Sequence, residues 1–384
     1  MAMKLPKGFE AAGTKAGIKP SGLQDLGLIY CLDPTAWALT STRNQVKAAC
    51  VSRNQSIYRA GTPIRAVVVN SGNANAATGN QGIKSDEDFG IFTANALNLT
   101  DSQSVLTAST GIIGVQLPID KVYQALPSLV KNLKSESPGF AESILTTDTT
   151  TKEVAVVLKN GARVVGIAKG SGMIHPDMAT MLAFVLTDAV IPQETLRDLW
   201  PRIVDESFNQ LTVDGDTSTN DMALVMSSNR VPEDALELAD ALNSVCMGLA
   251  EKIAQDGEGA TKLMIVQVRG ARSATEARLA ARAVALSPLV KTAVHGNDPN
   301  WGRILAAVGA SGASFNQEKI LVKLQGTVVY ENAPQNFDLE KLSSTMNTET
   351  VLIEIDLKVG NHSAKAWGCD LSAEYIRINA EYTT

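Results

Sequence analysis

The chain is poor in histidine, cysteine and aromatic residues, and each scarcity removes a class of function. Its 384 residues include three histidines, His175, His295 and His362. A Ser-His-Asp or Cys-His site must draw its base from these, and a mechanism that needs no histidine gains weight. The four cysteines, Cys31, Cys50, Cys246 and Cys369, lie far apart, with no CxxC pair and no neighbouring histidine. That argues against zinc or a disulfide framework and for a reducing compartment. Aromatics make up 5% of the chain, so Ala, Val, Leu and Ile must build the core. No apolar run reaches the ~18 residues of a membrane span, and the start Met1-Ala2-Met3-Lys4-Leu5-Pro6-Lys7-Gly8 has no apolar signal segment. The net charge is −6 and no basic stripe is interleaved with aromatics, which argues against nucleic acid as a partner. The expectation is a cytoplasmic protein that meets neither membrane nor nucleic acid.

The length suits two or three domains or lobes. Residues 1–60 read as short strands and turns, with Leu26–Cys31 the clearest strand. The spacing predicts a strand over 64–69, a turn-rich loop over 70–76, a helix over about 84–98 capped by Ser85, a strand over 105–109 and a helix over 120–133. Strands over 153–158 and 163–168 flank Asn160-Gly161, a strong hairpin signal. Further on come strands over 181–187, 222–227 and 263–268. The helices are 192–209, 232–256, 273–286 and 300–309, and strands are expected near 319–324, 351–357 and 373–378. Strands and helices alternate loosely with hairpins mixed in, which predicts an α/β protein with a mixed sheet. Spacing alone puts a boundary near 180 or near 310.

The most informative stretch runs from Lys169 to Leu182, Lys-Gly-Ser-Gly-Met-Ile-His-Pro-Asp-Met-Ala-Thr-Met-Leu. A glycine-rich loop and a proline turn lead to a threonine that opens an apolar run. A threonine hydroxyl becomes a good nucleophile when a base sits beside it, and the amine freed by cutting the preceding peptide bond is such a base. Self-cleavage between Ala179 and Thr180 would therefore create the nucleophile and its base together. The same residues also describe a loop entering a buried strand.

Four other stretches stand out. Asp214 to Asp221 looks like a calcium loop but has Thr219 where the motif needs glycine and Val225 where it needs a bidentate Glu. It reads as a polar connection or as the hydroxyl-rich wall of a pocket. In Asp256-Gly-Glu-Gly-Ala-Thr-Lys262, Gly257 is expected as a left-handed helix cap. Glu258 and Lys262 there read as a surface pair or as contacts to an amino-acid head group. His295 to Arg303 precedes a helix that Asn300 or Asp298 would cap. Ser109-Thr110-Gly111 ends a strand, where a hydroxyl and a backbone N–H can converge on an oxyanion.

Together and in this order, these motifs resemble the ornithine acetyltransferases, the glutamate N-acetyltransferases of arginine biosynthesis. Asn70-Ser-Gly-Asn-Ala-Asn-Ala76 and the end Asn379-Ala-Glu-Tyr-Thr-Thr384 agree as well, so the resemblance spans nearly the whole chain. It implies a layered, mixed-sheet α/β sandwich, distinct in topology from the N-terminal-nucleophile hydrolases. It implies cleavage into an α chain, 1–179, and a β chain, 180–384, assembled as a heterotetramer of two of each. Thr180 would hold an acetyl group taken from N-acetylornithine and pass it to glutamate, with its own amine as base. Thr110 and Gly111 match the oxyanion positions. Lys169, Thr180, Glu258, Asn379 and Thr384 match substrate-binding positions, as does Thr146 or Thr147, with Thr147 preferred. No cofactor or metal is implied. Whether acetyl-CoA also serves as a donor is left open. Lys169 and Glu258 have opposite charges, which suits an amino acid, and Gly170 and Gly172 permit unusual backbone angles near the scissile bond. The segment Ser41 to Lys47 departs from the family wording and carries no assigned role. The rival readings are a self-cleaving aminopeptidase or amidase of related fold and a binding protein that never cleaves.

Overall fold

The computed structural model describes residues 3–136, 139–175 and 181–381. Eight strands form the first sheet: β1 Phe9–Thr14, β2 Leu26–Ser41, β3 Ile64–Asn73, β4 Val105–Ile112, β5 Lys152–Val157, β6 Arg163–Lys169, β7 Leu182–Ala189 and β8 Met222–Val231. Their order is β4-β3-β2-β8-β7-β6-β5, with β1 on β2. The second sheet contains β9 Leu263–Ala271, β10 Leu321–Leu324, β11 Thr327–Glu331, β12 Ala333–Pro334, β13 Thr350–Asp356 and β14 His362–Cys369. Both sheets are mixed: β3/β4, β7/β8 and β9/β13 run parallel and the remaining pairs antiparallel.

The helices are α1 Ala49–Ala60, α2 Gly79–Ala96, α3 Ile119–Lys131, α4 Phe140–Ser143, α5 Gln193–Glu206, α6 Ala235–Gln255, α7 Ala274–Leu286, α8 Pro288–His295, α9 Trp301–Gly309, α10 Leu339–Met346 and α11 Ala373–Glu381. No helix among the described residues is long and apolar enough to cross a membrane.

Side-chain alternation explains the layering, because successive residues of a strand face opposite sides of its sheet. The long strand β2 pairs with β3 through its first half and with β8 through its second, with a register shift between Tyr30 and Thr35. The sheet thus folds over on itself. Val67, Val69 and Leu106 from one half meet Val165, Ile167, Phe184 and Leu224 from the other in one buried core. The alternate residues Ala66 and Val68 face α2 and α3, while Val164, Ala183, Val185 and Val225 face α5 and α6. The result is helix, sheet, sheet, helix, the layered sandwich expected from the sequence. A further core joins the second sheet to α7, α8 and α9.

β7 and β8 follow position 180 in the chain, yet they lie between β2 and β6, which precede it. Segments from both sides of position 180 therefore interlock within one sheet.

Several local expectations need correction. Residues 49–60 are helical, with Cys50, Val51, Asn54 and Ile57 buried at helical spacing. Ser85 lies buried inside α2, which begins at Gly79. β3 continues through Asn73 into the expected loop. Residues 373–378 belong to a helix; Ile376 is 67% exposed, and Arg377 pairs with Glu374 and Glu381 at helical spacings. Gly257 is not a left-handed cap. The positive backbone angle in that turn belongs to Gly259, at φ +68°.

Candidate active site

Where β4 and β6 end and β7 and β8 begin, the chain encloses a cavity of about 240 Å³. Thr110, Gly111, Thr147, Lys169, Glu258 and Asn379 all line it. Six of the residues expected from the sequence thus meet at one place. Ala179, Thr180 and Thr384 lie outside the described residues. Their neighbours Met181 and Leu182 line the cavity, and Leu182 is in register with Lys169 on β6 and Met222 on β8. A larger cavity of about 850 Å³ lies beside α1 and α2 and contains none of these expected residues.

Lys169 ends β6 with its ammonium buried. It donates to Thr146 Oγ1 at 2.6 Å and Thr110 Oγ1 at 3.4 Å, and lies 3.7 Å from Asp148. Burial pushes the ammonium below the ordinary lysine value, and the Asp148 charge opposes the shift. Asp148 accepts from the Gly170 N–H and from Lys152 Nζ, both at 2.6 Å, and from the Thr146 N–H at 3.1 Å. Burial alone would raise its carboxyl. The Lys169 and Lys152 charges and the Gly170 N–H outweigh that and hold it well below the usual carboxylate range. Lys152, itself buried, also pairs with Asp256. Lys169, Asp148, Lys152 and Asp256 thus form a chain of alternating charges under one wall. Lys152 and Asp148 carry no signal in the sequence, because Asp148 meets Lys169 and Lys152 meets Asp256 only once β5 lies beside β6 and the end of α6 packs against them.

Thr146 and Thr147 both line the cavity, but they differ in use. The Thr146 hydroxyl is taken by Lys169. Among the described residues the Thr147 hydroxyl has no hydrogen-bond partner, which leaves it to a ligand.

Glu258 forms the opposite wall, buried to 9% exposure. It accepts from Asn379 Nδ2 at 2.8 Å. Because α11 is a helix, Tyr375 and Asn379 stand one turn apart, and both face the cavity. Of the two readings left open for Glu258, the surface residue is therefore excluded. Lys262 is not one either, since its ammonium is buried and donates to the Val294 carbonyl at 3.0 Å. Gly172 serves close approach and has no unusual backbone angle; a Cβ there would lie 2.3 Å from the Glu258 carboxylate. Among the described residues of this loop, the positive backbone angles belong to Gly170, at φ +157°, and Met173, at φ 55°. Gly172→Ala is expected to displace Glu258 and raise the substrate KM about tenfold or more, the loss of roughly one hydrogen bond to a charged group; an unchanged KM would contradict this placement.

The Asp214–Asp221 loop forms a third wall, with Asp214, Asp216, Ser218, Thr219, Asn220 and Asp221 on the cavity. Asp214 accepts from the Met173 N–H at 2.6 Å and the Ile174 N–H at 2.9 Å, which clamps the backbone shortly before Ala179. Asn220 Nδ2 donates to the Ala74 carbonyl at 2.6 Å and the Ser109 carbonyl at 2.8 Å. It thereby ties the loop to the end of β4 that carries Thr110. The segment around Ser41 to Lys47 supports this wall from behind. Thr42 Oγ1 donates to the Ser218 carbonyl at 2.8 Å and Asn44 Nδ2 to the Thr217 carbonyl at 2.9 Å.

His295 lies away from the cavity, 2.7 Å from Asp370, which also accepts from Thr261 and Lys262. Asn300 caps α9 through the Arg303 N–H. Two stretches that carry the resemblance, Ala260–Lys262 and His295–Arg303, thus do structural work outside the pocket.

A layered α/β fold with a small cavity bearing both a buried cation and a buried carboxylate has the charge pattern that suits a small zwitterion. The ArgJ family model matches residues 10–384. The arginine biosynthesis bifunctional protein ArgJ of Thermus thermophilus is 52% identical over the whole of both chains. That of Deinococcus radiodurans is 51% identical over 99% of this chain and 98% of its own. A crystal structure of the Bacillus halodurans protein of the same name, at 43% identity and a TM-score of 0.50, covers 52% of this chain and 98% of its own. The chain belongs to the ArgJ family.

Proposed function

We infer that this protein is an acyltransferase of arginine biosynthesis that moves acetyl from N-acetylornithine to glutamate through an ester on Thr180. The carrying observation is the convergence of Thr110, Gly111, Thr147, Lys169, Glu258 and Asn379 on one cavity beside the residues that follow Thr180. Cleavage before Thr180 frees an amine that serves as base to the neighbouring hydroxyl. The hydroxyl oxygen attacks the acetyl carbonyl, Thr110 and Gly111 stabilise the oxyanion, and ornithine leaves with the proton. Glutamate then takes the acetyl from the ester by the reverse sequence. Lys169 meets a substrate carboxylate and Glu258 an ammonium. The rest of the substrate contacts are Thr147, Asn379 and Thr384.

The interlocked sheet supports two pieces, 1–179 and 180–384, that stay together after the cut. The solved relative, whose whole chain spans about half of this one, accords with a chain in two parts. Two of each piece would make the heterotetramer, in the cytoplasm. The relatives' names call them bifunctional, which supports acetyl-CoA as a second donor to the same ester.

The test supplies N-acetylornithine with and without glutamate. Acetylglutamate formed with parallel-line kinetics is the expected result. Acetate released at the same rate with or without glutamate would favour the amidase.

A further inference from the structure

We propose that Asp148 is a positioning residue of this site, supplying the counter-charge that fits Lys169 for a substrate carboxylate while Lys152 and Asp256 set how much of that charge Lys169 receives. The proposal rests on the functional reading for the identity of the substrate group and on geometry for the rest.

Asp148 is the hub of the wall. One carboxylate oxygen accepts from the Gly170 N–H and Lys152 Nζ; the other accepts from the Thr146 N–H and lies 3.7 Å from Lys169 Nζ. Its side chain is fully buried, as is that of Lys152 at 1% exposure. Two ammonium groups therefore share one carboxylate in a place with little water. Asp256 holds Lys152 from the far side and also accepts from the Thr149 and Thr150 N–H groups. Asp256 leads directly into the turn that carries Glu258, and its carbonyl accepts from Ser171 Oγ at 2.7 Å. The charge chain thus joins the two walls, one cationic and one anionic, between which the ligand would lie.

The arrangement dictates opposite effects for its members. The charged groups that act on Lys169 are Asp148, Lys152, Glu258 and Asp221. Lys19 also lies within electrostatic reach and is itself pushed down to about 8, chiefly by burial. Asp148→Asn removes the main attraction and leaves the Lys152 repulsion, so Lys169 gives up its proton at lower pH. Lys152→Gln removes the repulsion and leaves Asp148 undivided, so Lys169 keeps its proton to higher pH. A residue that only held the fold together would shift both variants the same way or neither.

Two readouts apply. The first is KM for glutamate against pH. Loss of the Lys169 proton raises KM on the alkaline side, about tenfold per pH unit beyond the titration point, whereas the Thr180 amine, as base, limits the acidic side of kcat. A Lys19→Gln background removes the second lysine. The second readout is competitive acylation of Lys169 by acetic anhydride, read by mass spectrometry across pH. It needs no substrate, so it tests the proposal even if wild-type enzyme transfers no acetyl, an outcome that would count against the functional reading instead.

The expected result is an alkaline limb displaced downward in Asp148→Asn and upward in Lys152→Gln, by at least one pH unit between them. Displacement of both in one direction, or of neither, overturns the proposal. Should Asp148→Asn not fold, Lys152→Gln decides alone: a limb that stays or falls overturns it.

Discussion

A Thr180→Ala chain is expected to run as one uncut band on a denaturing gel and to transfer no acetyl. On the proposed mechanism, the methyl side chain removes the oxygen that would start the N-to-O shift at the Ala179 carbonyl and would later carry the acetyl group. Removing the nucleophile from an enzyme of this logic typically costs on the order of 10⁶ in kcat, which puts the residual rate near the assay floor. The expected loss is of chemistry with the fold intact. Thr180→Ser keeps the oxygen and should still cut, at a reduced rate. Turnover by the alanine variant would place the acyl group on another residue.

The second large effect is expected at Thr110. Its oxygen accepts from Lys169 Nζ at 3.4 Å, which leaves the hydroxyl proton free to point at a ligand oxygen. Thr110→Ala should lower kcat by about 10²–10³ with KM little changed, the usual cost of one oxyanion donor. A rise in KM at constant kcat would instead make Thr110 a ground-state contact. Gly111→Ala is a different experiment. Gly111 has φ +131°, and a Cβ there would lie 2.4 Å from the Gly72 carbonyl carbon, so that variant should disturb the β3–β4 pairing itself.

Much of the fold was legible because it depends on local pattern. Asn160-Gly161 marked the β5–β6 hairpin, and short continuous apolar runs marked β3, β6, β7 and β8 as strands. What escaped depends on tertiary partners. The α11 segment, with Tyr375, Ile376 and Ile378, has β-like composition, yet its docking beside Glu258 requires Asn379 one turn from Tyr375. The α1 segment is too polar to stand out until its few apolar residues find the core. The crossing of β2 from one half of the sheet to the other leaves no local mark.

The site divides along the same line. Thr110, Gly111, Lys169, Glu258 and Asn379 were found through the resemblance, since single residues of ordinary type carry no signal of their own. Periodicity could not have shown that the strand order brings them together. Asp148 and Lys152 were missed as site residues because a buried carboxylate or ammonium is recognisable only once its partners are in place. Gly172 was read as a source of backbone freedom, and its role proved to be room for the Glu258 carboxylate.

The most direct test of the account is the intact mass of the two pieces after a brief exposure to N-acetylornithine without glutamate. The account predicts a cut chain whose second piece begins at Thr180 and gains one acetyl group, located on Thr180 by fragmentation and lost on adding glutamate. A second piece with a different first residue, or acetyl held elsewhere in the chain, would contradict it.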